Sequence, residues 1–359
     1  MVTVTKTFLP PINDYFKQIE KSFKNGWLTN RGELVLELES KIADFLDFKE
    51  TKVLCVNNGT IPIQIALKLL GNGGEIITTP FSYVATTSAI IWENCTPVFV
   101  DIHPEYLTID ESKIELSITE KTTCILATHV YGNPCNVEEI ERIADKYNLK
   151  VIYDAAHCFG VSYKGKSIFE YGDVSTCSFH ATKVFHTAEG GAIFCKDKEL
   201  MQNFFYSHNF GHKNETEFWG VGINAKMSEL SAAMGLANLP HLTFINSQRK
   251  FITDFYDNNL NFNTFSKIKI RKDTKWNYSY YPIFFKSNDL LKTILSELNE
   301  NDIFPRRYFN PSLNCLKYVH YVEAKNSEKI SDSIICLPLY VGIDLEILKK
   351  ICFIINSYI

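Results

Sequence analysis

Lys52-Val-Leu-Cys-Val-Asn-Asn-Gly-Thr-Ile-Pro-Ile-Gln-Ile-Ala-Leu-Lys-Leu-Leu70 is the stretch on which the fold turns. Residues 52–56 are a short apolar run that suits a buried strand, 57–60 a polar turn, and 61–70 a helix. The same unit recurs on both sides. Upstream, Leu34, Leu38, Ile42 and Phe45 are spaced as one helical face over residues 33–45. Downstream, residues 75–78, 97–100, 123–127, 149–153, 174–179 and 192–195 read as apolar strands, with helices over 83–92 and 137–147. Helices alternating with buried strands predict an α/β sheet covered on both faces. After about residue 240 the chain turns polar and rich in Asn and Tyr, as in 276–285, and then helical over 290–298. That shift predicts a large domain over 1–240 and a smaller α+β domain over 241–359.

Composition limits the function. The chain has 359 residues, and chains above about 250–300 usually split into domains. A net charge of -4 argues against a partner that presents a phosphate backbone, so no nucleic acid is expected. The apolar run over 61–70 is broken by Pro62, Gln64 and Lys68, far short of a membrane span. No signal-peptide pattern follows Met1, and the ten cysteines form no C-x-x-C pair. Buried reduced thiols and a cytoplasmic location are therefore expected.

Three loops carry candidate chemistry. Asn57-Asn-Gly59-Thr60 lies between a strand and a helix, where backbone N–H groups and the Thr60 hydroxyl suit an anion; the alternative is a plain capped turn. Asp154, in Val151-Ile-Tyr-Asp-Ala-Ala-His157, ends a strand at the sheet edge where α/β proteins bind ligands. It reads either as a helix N-cap or as a fixed anion facing a cofactor's ring nitrogen. Lys183 follows Ser178-Phe-His-Ala-Thr in a weakly charged, aromatic loop that closes with Glu189-Gly-Gly191. It reads either as an exposed loop lysine or as a nucleophilic amine. Phosphate donors, a carboxylate and an amine, in that order, are the parts that pyridoxal 5′-phosphate requires.

Gly26-Trp-Leu-Thr-Asn30, Thr79-Pro-Phe-Ser-Tyr-Val-Ala-Thr86, His129-Val-Tyr-Gly132 and Asp154-Ala-Ala-His157 continue into Ser178, Lys183 and Glu189-Gly-Gly191. Gly222-Ile-Asn-Ala-Lys-Met-Ser228, Arg306-Arg-Tyr-Phe309 and Leu337-Pro-Leu339 complete the series. In this order the motifs resemble the DegT/DnrJ/StrS family of nucleotide-sugar aminotransferases. The resemblance implies an aspartate aminotransferase-like fold (type I), with a mostly parallel sheet in the large domain. It implies Lys183 as the Schiff-base amine, Asp154 on the pyridinium nitrogen and Tyr83 stacked on the ring, where the residue would otherwise read as a core aromatic. Gly59, Thr60 and Ser178 would bind the cofactor phosphate, joined by Asn224 from a second subunit, which implies a homodimer with shared active sites. His157 stands where many relatives carry Gln, near the phenolic oxygen. Arg306 and Arg307 are candidates for a diphosphate, against a solvated basic pair, and Tyr308 and His186 complete the candidate substrate contacts.

The resemblance further implies L-glutamate as amino donor and dTDP-4-keto-6-deoxyglucose as acceptor. The product would be dTDP-4-amino-4,6-dideoxyglucose, for bacterial O-antigen and other surface polysaccharide. Amination at carbon 3, another nucleotide, or the other stereochemistry at carbon 4 stays open. Rival readings are weaker. Gly71-Asn-Gly-Gly74 precedes a strand instead of following one, unlike a dinucleotide fingerprint. His208 and His212 lack a third ligand, so no metal is expected. A dehydratase of the same fold would carry His in place of Lys183, and a non-catalytic regulator would not need every reactive position filled.

Overall fold

A computed structural model describes residues 1–263 and 265–358. Seven strands form the central sheet: β1 (Lys52–Val56), β2 (Glu75–Thr78), β3 (Thr96–Phe99), β4 (Thr122–Thr128), β5 (Lys150–Asp154), β6 (Val174–Ser178) and β7 (Gly191–Cys195). Their spatial order is β1-β7-β6-β5-β4-β2-β3. Neighbours from β6 to β3 run parallel, and β7 runs antiparallel to both β6 and β1. The expected mostly parallel sheet is thus present, with every strand within a residue or two of its expected span.

Both faces are covered, and the pleat explains how. In β4, Ile125 and Ala127 enter one core while Cys124 and Leu126 enter the opposite one. Val151 and Tyr153 alternate with Ile152 in β5 in the same way. Helix α1 (Glu33–Phe45) closes the first face through Leu34, Leu38 and Ile42, and helix α2 (Ile61–Leu70) closes the second through Ile63, Ala66 and Leu67. All ten cysteines are free, and nine of them are buried, where they pack as small apolar side chains.

Register aligns the ends of the strands into one edge. Asp154 pairs with Thr128 on one side and Thr176 on the other, while Gly191 pairs with Ser178 and with Val56. Gly191 must lack a side chain, because a Cβ there would sit 2.3 Å from the Asn58 carbonyl oxygen.

The chain beyond residue 240 builds a second sheet from β8 (Phe265–Lys267), β9 (Tyr281–Phe285) and β10 (Ile334–Leu337), antiparallel and in that order. Residues 281–285, within the polar stretch noted above, are its central strand, since Tyr281, Ile283 and Phe285 turn into a core of their own. Helix α3 (Leu242–Asn259) joins the two cores: Leu242 and Ile245 pack in the first, Ile252 and Tyr256 in the second. Val2 and Thr3 pair in parallel with Ile303 and Phe304 as a separate two-stranded sheet, and Val2 packs against the second core. Among the described residues no helix is long and apolar enough to cross a membrane.

Candidate active site

A cavity of about 290 Å³ opens at the aligned strand ends. Its floor comes from the loops after β1, β2, β5 and β6 and the end of β4, and its outer wall from Tyr280, Arg306, Tyr308 and Phe309. Seven strand-end and loop residues singled out in the sequence meet there: Gly59, Thr60, Tyr83, Asp154, His157, Ser178 and Lys183.

Asp154 is 4% exposed. Its Oδ2 accepts a hydrogen bond from Thr86 Oγ1 at 2.7 Å and its Oδ1 one from the Ala156 N–H at 3.1 Å. No helix follows, so the bond to Ala156 closes a local turn and the N-cap reading falls away. Burial raises its pKa, while the Thr86 hydrogen bond, the Ala156 N–H and the charge of Lys183 oppose the rise. Lys183 lines the same cavity with no hydrogen bond or ion pair to its ammonium among the described residues. Burial lowers its pKa, which favours the free amine, with Asp154 the largest opposing influence.

His157 accepts the Tyr131 N–H on Nδ1 at 3.0 Å. Burial, with the nearby Lys183 charge, holds its pKa well below the usual histidine value. A neutral ring that accepts at Nδ1 carries its proton on Nε2, so the imidazole is a hydrogen-bond donor there, as an amide in the same place would be. Its plane is stacked parallel to Phe309 at 5.8 Å and contacts Tyr280 at 4.9 Å between ring centroids. Tyr83 is 57% exposed and sits just ahead of a helix over Val84–Trp92, which sets aside the core-aromatic alternative.

The loop after β1 owes its shape to Asn58, whose Oδ1 accepts the N–H groups of Thr60 and Ile61 at 2.8 and 2.9 Å. That leaves the Gly59 N–H and the Thr60 hydroxyl beside the Ser178 hydroxyl. A Cβ on Gly59 would lie 2.5 Å from Ser178 Cβ, so the cradle closes only around glycine.

Three sequence assignments need revision or a different placement. His186 does not reach the cavity: it is 2% exposed, with Nε2 2.6 Å from the Phe8 carbonyl oxygen and its own carbonyl bonded by Asn238 Nδ2. It pins the N-terminal segment to the large body and has no route to a substrate. Arg306 lines the cavity with its guanidinium 5.0 Å over the Tyr308 ring, but Arg307 turns away and donates to the Ser331 carbonyl at 3.0 Å. Arg306 pairs with Cys336 in an isolated antiparallel bridge, and the Tyr308 N–H bonding the Arg306 carbonyl turns the chain at Arg307. Asn224 is exposed, accepts from Lys226 Nζ at 2.7 Å, and lies outside the cavity of its own chain.

Sequence reasoning missed Thr86, Asn58, Tyr280 and Phe309. Asn58 had a signal, an Asn shortly before a helix. Thr86 had one only in hindsight, as the last residue of a quoted motif.

A dTDP-4-amino-4,6-dideoxy-D-glucose transaminase of Shigella dysenteriae is 40% identical over 357 residues, covering 98% of this chain and 97% of that protein. A GDP-perosamine synthase of Escherichia coli O157:H7 is 31% identical over 350 residues, covering 95% of this chain and 94% of that protein. Among solved structures, Helicobacter pylori PseC, an aminotransferase involved in the biosynthesis of pseudoaminic acid, has a TM-score of 0.90 at 25% identity, covering 99% of this chain and 98% of that one. DesI, solved in the presence of its TDP-sugar product, shares the fold at a TM-score of 0.92 and 24% identity, covering 99% and 92%. With the family model matching residues 12–356, the chain belongs to the DegT/DnrJ/EryC1/StrS aminotransferase family.

Proposed function

We propose that the chain is a pyridoxal 5′-phosphate (PLP)-dependent transaminase that moves the amino group of L-glutamate to carbon 4 of dTDP-4-keto-6-deoxyglucose. The observation that carries this reading is the meeting, in one cavity, of an amine without a partner, a buried carboxylate and a hydroxyl-lined glycine cradle. The donor set fits the cofactor. Gly59 N–H, Thr60 and Ser178 would hold its phosphate, Asp154 its ring nitrogen, Tyr83 its ring face, and His157 Nε2–H its phenolic oxygen. Bound there, PLP would supply an electron sink for charge developing at the amine-bearing carbon of the substrate. Lys183 Nζ would hold the cofactor and then carry the proton on and off that carbon, a task suited to an amine whose pKa is lowered by burial.

The nucleotide-sugar specificity follows the transaminase relative at 40% identity, and Arg306 is the cation the cavity wall offers to a diphosphate. In this reading residues 1–240 carry the cofactor, and the domain over 241–359 contributes the outer wall. Asn224 of a second copy would complete the phosphate cradle. Its exposure supports this, as do the exposed Trp219, Val221 and Ile223 around it, an apolar patch suited to a homodimer interface.

The deciding experiment incubates purified protein with L-glutamate and either dTDP-4-keto-6-deoxyglucose or its GDP-linked counterpart, and reads the product by NMR. An amine at carbon 4 of the dTDP sugar is expected; an amine at carbon 3, or turnover of the GDP sugar alone, overturns the substrate. Borohydride trapping of the cofactor should fail in Lys183→Ala, and sedimentation should give a dimer.

A further inference from the structure

Behind the carboxylate of Asp154 stands a file of three buried hydroxyls. Thr86 Oγ1 donates to Asp154 Oδ2 at 2.7 Å, Ser82 Oγ lies 2.7 Å from Thr86 Oγ1, and Thr128 Oγ1 donates to Ser82 Oγ at 3.1 Å. Ser82 is 1% exposed, Thr86 0%, and Thr128 and Asp154 4% each. The residues come from the loop after β2, the helix over Val84–Trp92, and the ends of β4 and β5. The parallel register that pairs Thr128 with Asp154 brings them together.

An ionised carboxylate only accepts, so the single Thr86 proton is spent on Asp154. Thr86 must then accept from Ser82, and Ser82 in turn from Thr128. The file therefore has one direction, and it needs no acceptor beyond the carboxylate. A proton placed on Oδ2 would reverse the file and push the Thr128 proton out with no acceptor recorded for it among the described residues.

We propose that Thr86, Ser82 and Thr128 are positioning residues, a one-way hydroxyl chain that keeps Asp154 ionised and aimed at a protonated ring nitrogen. This rests on the cofactor reading above. A buried carboxylate without donors takes up a proton instead of staying charged. Two donors, the Thr86 hydroxyl and the Ala156 N–H, hold this one, and each hydroxyl in the file polarises the next toward the anion. A valine would fill the place of Thr86 with nearly the same shape, so packing alone does not call for three hydroxyls here.

The test uses the full chain, stripped of cofactor and titrated separately with PLP and with 1-deazapyridoxal phosphate, whose ring has carbon in place of the nitrogen. Thr86→Val is expected to weaken PLP binding about tenfold, the loss of one charge-assisted hydrogen bond. Binding of the deaza analogue should stay within about twofold, because nothing on that ring pairs with Asp154. Thr128→Val, at the far end of the file, should give a smaller change of the same kind, and Thr86→Ser should restore the wild-type ratio of the two affinities. Equal weakening of both ligands would mean a purely structural role and would overturn the proposal, as would no change in either. If the wild-type chain binds neither ligand, the cofactor reading itself falls. If Thr86→Val does not fold, Thr128→Val and Thr86→Ser read out the same ratio.

Discussion

On the floor of the cavity, Asp154 and His157 are buried, and both Asp154 oxygens and the His157 Nδ1 are held by backbone N–H groups or a neighbouring hydroxyl. On the outer wall, Arg306 is exposed, with the Tyr308 ring beneath its guanidinium. The floor is preorganised, so the dipoles that face a reacting centre do not need to rearrange. The wall is adaptable, and a long cationic side chain there can follow the shape of an anionic ligand. Chemistry is therefore expected to fail when the floor changes, and binding when the wall does.

The comparison can be broken from its strong side first. Asp154→Asn should lower kcat about 10²–10³-fold with little change in KM for the sugar, measured by steady-state kinetics. A change confined to KM would place Asp154 among the wall residues instead.

The buried layer beside the floor should also report its dryness through pH. His129, next to Thr128 and stacked on Tyr153, is held neutral by burial, with its pKa lowered to about 3. The unfolded chain binds a proton on this ring near pH 6.5, which the folded chain refuses until far lower pH. Stability is therefore full above about pH 6.5, falls below it, and the contribution is gone near pH 3. Between pH 6.5 and 5 this ring alone should cost about 2 kcal/mol of unfolding free energy. Urea titrations of wild type and His129→Asn should differ in pH slope over that range.

The wall gives the smaller effects. Arg306→Ala should raise KM for the nucleotide sugar about tenfold and leave kcat nearly unchanged, as loss of uniform binding does. Arg307→Ala should change KM less than about twofold, because its guanidinium bonds the Ser331 carbonyl. Equal effects from the two arginines would show that the side chains exchange places when a ligand binds.

Much of the floor was legible in the sequence for a topological reason. Strands that alternate with helices put the following loops at one edge, so Gly59, Asp154 and Ser178 had to lie near one another once the alternation was recognised. Lys183 was legible through its loop between two strands. The hydroxyl file was not, because Thr86 stands on the helix after β2 and meets Asp154 at the end of β5 across the intervening β4, a placement that leaves no local mark on a threonine. The wall was half legible. Arg306 and Tyr308 line the cavity while Arg307, at a turn, bonds the Ser331 carbonyl, and nothing local in an Arg-Arg pair marks which guanidinium faces inward. His186 was misread because a histidine beside a reactive loop looks like a ligand contact, and its true partner, the Phe8 carbonyl, lies at the opposite end of the sequence.

That contact belongs to a longer strap: Val2 and Thr3 lie along Ile303 and Phe304, the Leu339 N–H bonds the Val4 carbonyl, and Phe8 is held by His186. The ribosome makes Val2 first and its strand partner about 300 residues later, so the N-terminal segment must wait unpaired through most of synthesis. A fusion tag placed ahead of Met1 would therefore burden the last step of assembly, even though it joins the chain at the first.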